Sequence, residues 1–236
     1  MEIRDTIQRL KAELPSGVKL AAVSKFHPVS AIKEAYSAGQ RIFAESRPQE
    51  LYAKVCELSK ETGTSGEILY GDVEWHFIGH LQTNKLKLVL PYVSMVQSVD
   101  SMHLLDAIDR WGRENNGVTD VLLECHIASE QTKQGFSADE IHDVIAASGG
   151  YGNVRFRGLM GMATFTDDET VIRSDFSRIY ELFNEISAAV SNDGGLSRLK
   201  DFTELSIGMS EDYRIALEYG STMVRIGTMI FGPREY

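Results

Sequence analysis

A regular alternation of strand-like and helix-like segments is the feature that most constrains the fold of this 236-residue chain. The strand-like segments are short apolar runs, and segments with the spacing of an amphipathic helix separate them. The eight predicted strands are, in order, VKLAAVS, RIFAES, EWHFIG, YVSMVQSV, TDVLLECHI, VRFRGLMG, FTELSIG and STMVRIG. Eight strands alternating with helices is the count of an α/β protein built as a (β/α)8 TIM-type barrel.

The chain is therefore predicted to be a single barrel domain, residues 1–236, with an extra helix at residues 1–15. That leading segment repeats apolar residues at helical spacing, including Ile3, Ile7 and Leu10. Its alternating charges are typical of a surface helix and not of a signal peptide. An open doubly wound sheet also uses βα repeats, but usually with fewer strands, and no GxGxxG motif follows the first strand here.

The composition narrows the classes of partner. The formal net charge is −10 at pH 7, which disfavours binding to nucleic acid or to an anionic membrane. No apolar run is long enough to cross a bilayer. The two cysteines, Cys56 and Cys125, are far apart and lie in no metal-ligand spacing, so we expect reduced thiols in a cytoplasmic protein. Because the sequence indicates no second domain, we expect a monomer.

A lysine stands directly after the first predicted strand. Lys25 follows a largely apolar stretch, residues 20–24, and the residues that follow the strands of a barrel form its active face. Most lysines are solvated surface charges. Burial at a strand end, however, disfavours the charged ammonium and frees the amine as a nucleophile. Such an amine can form a Schiff base with an aldehyde.

Short loops rich in glycine and hydroxyl residues follow the last two predicted strands. They read SIGMSED and RIGT and contain Gly208, Ser210, Gly227 and Thr228. Either loop alone would be an ordinary turn. Together they occupy the position where such barrels hold a phosphate on N–H groups and hydroxyls. The sequence thus predicts a phosphate site at the same mouth as Lys25, and a phosphorylated aldehyde would use both.

Other residues near the strand ends indicate less. His76 and His80 are four residues apart across a strand and a turn, and no third ligand completes a zinc site. Met160 lies in the apolar stretch LMGM and is predicted to line the barrel, where a methionine can pack on a flat ring. No order of Ser, His and Asp favours a hydrolase.

Several motifs in a fixed order give the chain a family resemblance. They are AVSKFHP, IFAESRPQE, WHFIGHLQTNK, GLMGMA, LSIGMSEDYRIALEYGSTMVRIGT and the terminal IFGPREY. From about residue 18 to the C-terminus the sequence resembles the pyridoxal phosphate homeostasis proteins. The resemblance implies a single (β/α)8 barrel similar to the cofactor domain of alanine racemase. It also implies binding of pyridoxal 5'-phosphate (PLP), a part in keeping that reactive aldehyde in balance, and no robust catalysis.

The resemblance assigns roles to the matching residues at the mouth. Lys25 would hold PLP as an internal aldimine. Ser210, Gly227 and Thr228 would bind the phosphate, with Ser206 beside them.

The expected surroundings of the pyridine ring combine one match with departures from the family pattern. Arg225 would face the ring nitrogen and keep it unprotonated, because two positive charges repel each other. The family usually has FGEN after the second strand where this chain has FAES, so Ala44 and Ser46 replace a glycine and an asparagine. Ser46 keeps a hydrogen-bonding group with shorter reach and fewer donors. His126, in CHIASEQTKQGF, stands where the family commonly has asparagine.

Three functions are compatible with these expectations. The first is a PLP carrier or regulator without robust catalysis, with PLP-dependent apoenzymes as recipients. The second is a weak PLP-dependent amino-acid racemase, although alanine racemase takes a second catalytic base from an additional domain that we do not expect here. The third is a Schiff-base aldolase acting on a sugar phosphate. Visible absorbance separates the third from the other two, because a lysine aldimine of PLP absorbs visible light.

Overall fold

A computed structural model describes residues 2–63, 67–128, 134–192 and 199–233 of the chain. Its strands are β1 Lys19–Val23, β2 Ile42–Glu45, β3 Glu74–Phe77, β4 Met95–Val99, β5 Thr119–Cys125, β6 Val154–Gly161, β7 Glu204–Ser206 and β8 Met223–Ile226. Its α-helices are α1 Ile3–Glu13, α2 Val29–Ser37, α3 Pro48–Leu58, α4 Met102–Asn115, α5 Ala138–Ala147, α6 Glu169–Asn192, α7 Tyr213–Glu218 and α8 Thr228–Phe231. Two 3₁₀ helices span Thr83–Leu88 and Ser148–Gly150.

The eight strands form one closed barrel in which all neighbours are parallel. β1 pairs with β2 on one side and with β8 on the other, and Ala22 is in register with both Phe43 and Ile226. Because every strand runs in the same direction, all eight carboxyl ends meet at one mouth of the barrel. The predicted (β/α)8 fold is confirmed.

Two groups of apolar residues lie on the two faces of the barrel wall, as expected for a closed parallel sheet. The barrel interior is packed mainly by small residues and methionines, among them Ala21, Ala44, Met95, Met160 and Met223. The larger aliphatic and aromatic side chains form a second cluster between the strands and the surrounding helices. Met160 therefore lines the barrel, as the sequence predicted.

The predicted leading helix is confirmed as α1, which packs against α2 and α8 on the outside of the barrel. It buries Ile7 and Leu10 completely. Its last residue, Glu13, accepts hydrogen bonds from Tyr213 Oη at 2.9 Å and Arg214 Nε at 2.7 Å. Since α8 has only four residues, α1 completes the outer layer beside it.

The segment after β3 differs from its prediction. The stretch LQTNKLKLVL lies between the third and fourth predicted strands, where the alternation of strands and helices predicts a helix, and it contains only the six-residue 3₁₀ helix Thr83–Leu88. Leu86, Val89 and Leu90 are buried, and Pro91 follows them. A proline cannot continue an α-helix and disfavours helical geometry in the residue before it. The segment therefore buries its apolar side chains from a short, tight helix.

Some sequence expectations concern residues outside these elements. Residues 129–133 and 234–236, which belong to the motifs CHIASEQTKQGF and IFGPREY, lie outside the described residues. Cys56 and Cys125 are both free thiols, half-buried and buried respectively. None of the helices in the described ranges combines the length and the apolar character that a bilayer crossing requires.

Candidate functional site

Lys25 lies in a tight turn directly after β1, at the carboxyl mouth of the barrel. The backbone N–H of His27 donates to the carbonyl oxygen of Ser24 at 3.1 Å, which closes the turn. Phe26 has a φ of 67°, a left-handed conformation that is uncommon for residues other than glycine. Lys25 itself is half-buried. The turn therefore fixes its backbone two residues beyond the end of the strand.

A buried network of charged side chains holds this turn. Lys54 of α3 donates to the Ser24 carbonyl oxygen at 2.8 Å, to Glu45 Oε1 at 2.8 Å and to Glu50 Oε1 at 2.7 Å. Ser24 Oγ donates to Glu45 Oε1 at 2.6 Å. The backbone N–H of Phe26 donates to Glu50 Oε1 at 2.6 Å. Glu45 is fully buried and Lys54 is only 6% exposed. The network thus binds both residues that flank the lysine of the turn.

The turn after β1 lies beside the end of β8 and the short helix α8 that follows it. The ring of His27 stacks on Phe231 with 5.3 Å between centroids. Gly227 packs against the end of β1: a Cβ at this position would lie 3.2 Å from the Val23 carbonyl oxygen and 3.3 Å from the Val23 Cβ. A side chain at Gly227 would push the two strand ends apart. The glycine therefore allows the end of β8 to lie close to the lysine turn.

The loop after β7 and the first residue of α8 meet at a pair of hydroxyls. Thr228 Oγ1 donates to Ser210 Oγ at 3.1 Å, and both residues are accessible to solvent. Gly208 has a φ of 95°, and a Cβ there would lie 2.7 Å from the Cβ of Ala216. The loop after β7 therefore requires glycine at this position. The fold brings Ser210, Gly227 and Thr228 together at the mouth.

A hydrogen-bonded chain of polar side chains crosses the barrel interior. Arg225 Nη1 donates to the carbonyl oxygen of Ser206 at 2.6 Å and to its hydroxyl at 2.7 Å, and Arg225 Nη2 donates to the Gly161 carbonyl oxygen at 2.8 Å. Ser206 Oγ donates to Gln97 Oε1 at 2.7 Å, and Gln97 Nε2 lies 2.8 Å from His76 Nδ1. The Ser206 hydroxyl thus has two partners inside the barrel, and its predicted contact with a phosphate stays a prediction.

The two residues at the ends of this row of hydrogen-bonded side chains, Arg225 and His76, differ in charge. Burial lowers the pKa of Arg225 to about 10, and the Asp212 and Glu124 carboxylates oppose that shift. The guanidinium therefore stays charged at neutral pH. Burial also lowers the pKa of His76 to about 3, with Lys19 acting in the same direction. At neutral pH, Arg225 therefore carries a positive charge and His76 carries none.

A second titratable group, Glu124 of β5, is only 6% exposed. Burial raises the pKa of Glu124 to about 7; the Asp100 carboxylate acts in the same direction, while Arg225 and His80 oppose it. Asp100 pairs with His80 Nδ1 at 2.8 Å. A carboxyl group that titrates near neutral pH can both donate and accept a proton under ordinary conditions.

The remaining predicted site residues lie on or after β2, β5 and β6. Met160 is buried in the interior cluster together with Ala44. Ser46 is half-buried directly after β2, where a Cβ on Gly79 would clash with its backbone. His126 is half-buried directly after β5. Met160 lies in β6, and Ser46 and His126 each directly follow a strand. Contacts of these three residues with a ligand stay predictions.

The two histidines near β3 have side-chain partners within the protein. His76 contacts Gln97, and His80 contacts Asp100. Across the part of the chain that the structure describes, no group of three His, Cys, Asp or Glu side chains could hold a metal ion.

Sequence reasoning missed three polar residues of the site: Lys54, Gln97 and Glu124. Gln97 and Glu124 lie within the largely apolar strands MVQSV and DVLLEC, and a polar residue in such a strand is a signal that the sequence alone provides. Lys54 follows Glu50 by four residues, the spacing of an ordinary surface ion pair on a helix. No feature of the local sequence distinguishes it from a solvated lysine.

Comparison with known proteins places this barrel in a defined class. The alanine racemase N-terminal domain family matches residues 1–235. The pyridoxal phosphate homeostasis protein of Aquifex aeolicus is 34% identical over 218 residues, which cover 92% of this chain and 88% of that protein. PipY of Synechococcus elongatus, solved without PLP, superposes with a TM-score of 0.86 at 32% identity, covering 98% of this chain and 100% of PipY. The PipY structure with PLP bound has a TM-score of 0.84 at 31% identity over the same shares of both chains.

The closed parallel barrel is thus that of the alanine racemase N-terminal domain class. Within this class the chain belongs to the pyridoxal phosphate homeostasis protein family, since relatives of that name match it at 34% identity over nearly its whole length. The family expected from the sequence motifs is confirmed.

Proposed function

We propose that this protein holds PLP at the carboxyl mouth of its barrel and takes part in PLP homeostasis. The observation that carries the proposal is the position of Lys25, in a fixed turn beside the segment after β8, where the Thr228 hydroxyl meets that of Ser210 from the loop after β7. An amine suits the aldehyde of PLP, and paired hydroxyl donors suit its phosphate. The PLP-bound structure of PipY supports the same ligand for this family member.

The residues at the mouth fit the parts of PLP in their chemistry. Ser210 and Thr228 offer hydroxyl donors to a phosphate dianion, and Gly227 permits close backbone approach. Arg225 has a planar fork of five N–H donors, and its bonds to Ser206 and Gly161 use three of them. A pyridine nitrogen can accept from the rest. Met160 and its apolar neighbours in the interior suit the face of an aromatic ring.

PLP, when bound, supplies an aldehyde carbon that an amine can attack. The Lys25 amine, once deprotonated, would add to that carbon; a carbon–nitrogen bond would form and the aldehyde oxygen would leave as water, so that no oxidant or reductant would be consumed. Water reverses the attachment, which suits a protein that stores and releases a cofactor.

The charge of Arg225 favours a carrier over an enzyme. A guanidinium beside the ring nitrogen keeps that nitrogen unprotonated, because two positive charges repel each other. The ring then withdraws electrons less strongly than it does beside an aspartate, and most PLP catalysis depends on that withdrawal. We therefore propose a PLP carrier or regulator without robust catalysis, which passes the cofactor to PLP-dependent apoenzymes.

We propose that residues 1–236 form one PLP-binding domain that acts as a monomer in the cytoplasm. The two free thiols, Cys56 and Cys125, suit a reducing compartment. Light scattering coupled to size-exclusion chromatography is expected to give the mass of one chain, 26.3 kDa. A mass of two chains at micromolar concentration would show a dimer and contradict the proposed monomer. It would not bear on the proposed PLP site.

The first experiment is a visible absorption spectrum of the protein mixed with PLP, followed by borohydride reduction and peptide mapping. We expect a visible band and a reduced adduct on Lys25. Lys25→Ala should abolish the adduct and retain weak binding through the phosphate contacts, whereas Lys33→Ala on α2 should change neither. An adduct of unchanged stoichiometry in Lys25→Ala would assign the amine to another residue. A folded wild-type protein without any adduct would refute PLP attachment and favour an aldolase for phosphorylated sugars.

A second candidate function, slow amino-acid racemisation, is favoured by Glu124. Racemisation needs one group to remove a proton from the α-carbon and another to return it. Glu124 titrates at about pH 7 and lies within electrostatic range of Arg225 and His80. It offers a second acid or base at the mouth besides Lys25.

Deuterium exchange tests this second function. The PLP-loaded protein would be incubated with L-alanine in D2O, and α-deuteration measured by NMR. Racemisation requires exchange above the rate of free PLP and a loss of about a hundredfold, the low end for a general acid or base, in Glu124→Gln. Glu57→Gln, on the exposed side of α3, is the matched control. Exchange no faster than with free PLP would eliminate the racemase function.

A further inference from the structure

We propose that Lys54 and Glu50 of α3 are positioning residues that hold the lysine turn so that the Lys25 amine can attach to PLP. This inference rests on the proposed function and adds to it a role for two residues outside the mouth.

The contacts of Lys54 tie α3 to the end of β1. Its ammonium is bonded to one backbone oxygen, that of Ser24, and to two carboxylates, Glu45 and Glu50, all within 2.8 Å. Three bonds use all three donors of a lysine. Because the side chain is 7% exposed, water does not compete effectively for these bonds, and the ammonium holds one geometry. The peptide bond that begins at the Ser24 carbonyl is the one that leads into Lys25.

Glu50 acts on the other side of Lys25, at Phe26. Its Oε1 accepts the backbone N–H of Phe26 at 2.6 Å and a bond from Lys54 at 2.7 Å. Phe26 holds a φ of 67°, a strained conformation that a non-glycine residue keeps only when its surroundings impose it. A charge-assisted bond to the N–H of that residue is such a constraint. Glu50 therefore stabilises the strained half of the turn.

Glu45 completes the network at the end of β2. Burial raises the pKa of Glu45, while the Lys54 ammonium and the Ser24 hydroxyl oppose that shift. Its Oε1 accepts both the Ser24 hydroxyl and the Lys54 ammonium. The side chains of Ser24 and Lys54 are thereby held by one buried carboxyl oxygen, which fixes the end of β1 relative to α3.

The arrangement has a functional consequence for Lys25. Attack on an aldehyde requires the amine and the carbon to meet in a narrow range of positions, and loss of such alignment lowers the equilibrium for attachment. The backbone on both sides of Lys25 is held by the network, whereas the phosphate pair Ser210 and Thr228 belongs to β7 and β8. A change in the network should therefore weaken covalent attachment without weakening contacts to the phosphate.

The test compares two ligands on the full-length protein. PLP can attach covalently, while pyridoxine 5'-phosphate has the same ring and phosphate but no aldehyde. Glu50→Gln should raise the Kd for PLP about tenfold, as expected for loss of one charge-assisted hydrogen bond, and leave the Kd for pyridoxine 5'-phosphate unchanged. Glu57→Gln, exposed on the same helix, is the control and should change neither. Lys54→Met should act in the same direction as Glu50→Gln, and circular dichroism would verify its folding.

A double-variant cycle separates positioning from a general structural effect. In a Lys25→Ala background, Glu50→Gln should no longer change the affinity for PLP, because there is no amine to position. An equal loss of affinity for both ligands, or the same loss with and without Lys25, would overturn the inference. Absence of a PLP adduct in the wild-type protein would instead refute the proposed function, so the two failures are distinguishable.

Discussion

Arg225 and Ser206 are joined by two hydrogen bonds, from Arg225 Nη1 to the carbonyl oxygen and to the hydroxyl of Ser206, at 2.6 and 2.7 Å. The guanidinium is also anchored to Gly161 on β6. A buried cation is thereby held between three strands by neutral acceptors, while the carboxylates of Asp212 and Glu124 act on it from a longer range. The position of this cation depends on Ser206 as much as on Arg225 itself.

Ser206→Ala should destabilise the protein by about 1 to 3 kcal/mol, because it leaves a guanidinium N–H and the Gln97 carbonyl oxygen buried without their partner. Urea unfolding followed by circular dichroism measures this change. Ser174→Ala, on the exposed side of α6, should stay within about 0.5 kcal/mol of the wild-type protein. Equal stabilities for the wild-type protein and Ser206→Ala would contradict the importance of the buried hydroxyl.

Glu124 should make the stability of the protein depend on pH. Its pKa is raised to about 7 in the folded protein from an ordinary value of 4.5, so the folded state binds the proton more tightly than the unfolded chain. The free energy of unfolding contributed by Glu124 is present below pH 4.5 and is lost as the pH rises to about 7, by about 3 kcal/mol at most.

Glu124→Gln removes this ionisation and keeps the volume of the side chain. Between pH 5 and pH 8 the variant should lose less free energy of unfolding than the wild-type protein, and urea titrations at the two pH values measure the difference. Parallel pH dependences in the two proteins would show that Glu124 titrates at its ordinary pKa.

Thr228→Val should weaken PLP binding by about tenfold or more, since it removes one hydroxyl of the pair and a hydrogen bond to a charged group is worth about 1.5 to 3 kcal/mol. The inhibition constant Ki of inorganic phosphate, corrected for the changed Kd of PLP, should also rise in this variant. Thr203→Val, an exposed position before β7, is the matched control. An unchanged Ki of phosphate in Thr228→Val would remove the Thr228 hydroxyl from the phosphate site.

Gly208→Ala should cost about 2 kcal/mol or more in the free energy of unfolding. Its φ of 95° is unfavourable for alanine, and the new Cβ would lie 2.7 Å from the Ala216 Cβ and 2.9 Å from the Tyr213 Cα. Gly149→Ala is the control, since its Cβ would meet nothing within 4 Å and its φ is not in the left-handed region. Thermal unfolding of the two variants side by side checks the prediction, and a Gly208→Ala midpoint equal to that of the control would refute it.

Several parts of the molecule could be predicted from the sequence because local signals encode them. Short apolar runs separated by amphipathic segments indicate eight strands and their helices, and that count favours a closed barrel. Lys25 is recognisable because it follows an apolar strand directly. Gly208, Ser210, Gly227 and Thr228 are recognisable because glycine and hydroxyl residues mark loops that can hold a phosphate.

Other parts depended on which side chains the closed barrel brings together. Both faces of a parallel barrel strand are buried, so alternation of polar and apolar residues does not separate the interior from the outer wall. For that reason the hydrogen bonds that link Arg225, Ser206 and Gln97 across three strands could not be predicted. From the sequence, Ser206 was instead expected beside the phosphate.

The sequence by itself determined the barrel, the lysine at the end of β1 and the hydroxyl loops, because each depends on neighbours along the chain. Only the tertiary structure decided the surroundings of Lys25. Lys54 and Glu50 have the spacing of a solvated helix pair, and packing of α3 against the end of β1 buries Lys54 and directs both to the lysine turn. Burial of a charge is a property of the assembled fold, since the distance between α3 and β1 is set by contacts far apart in sequence.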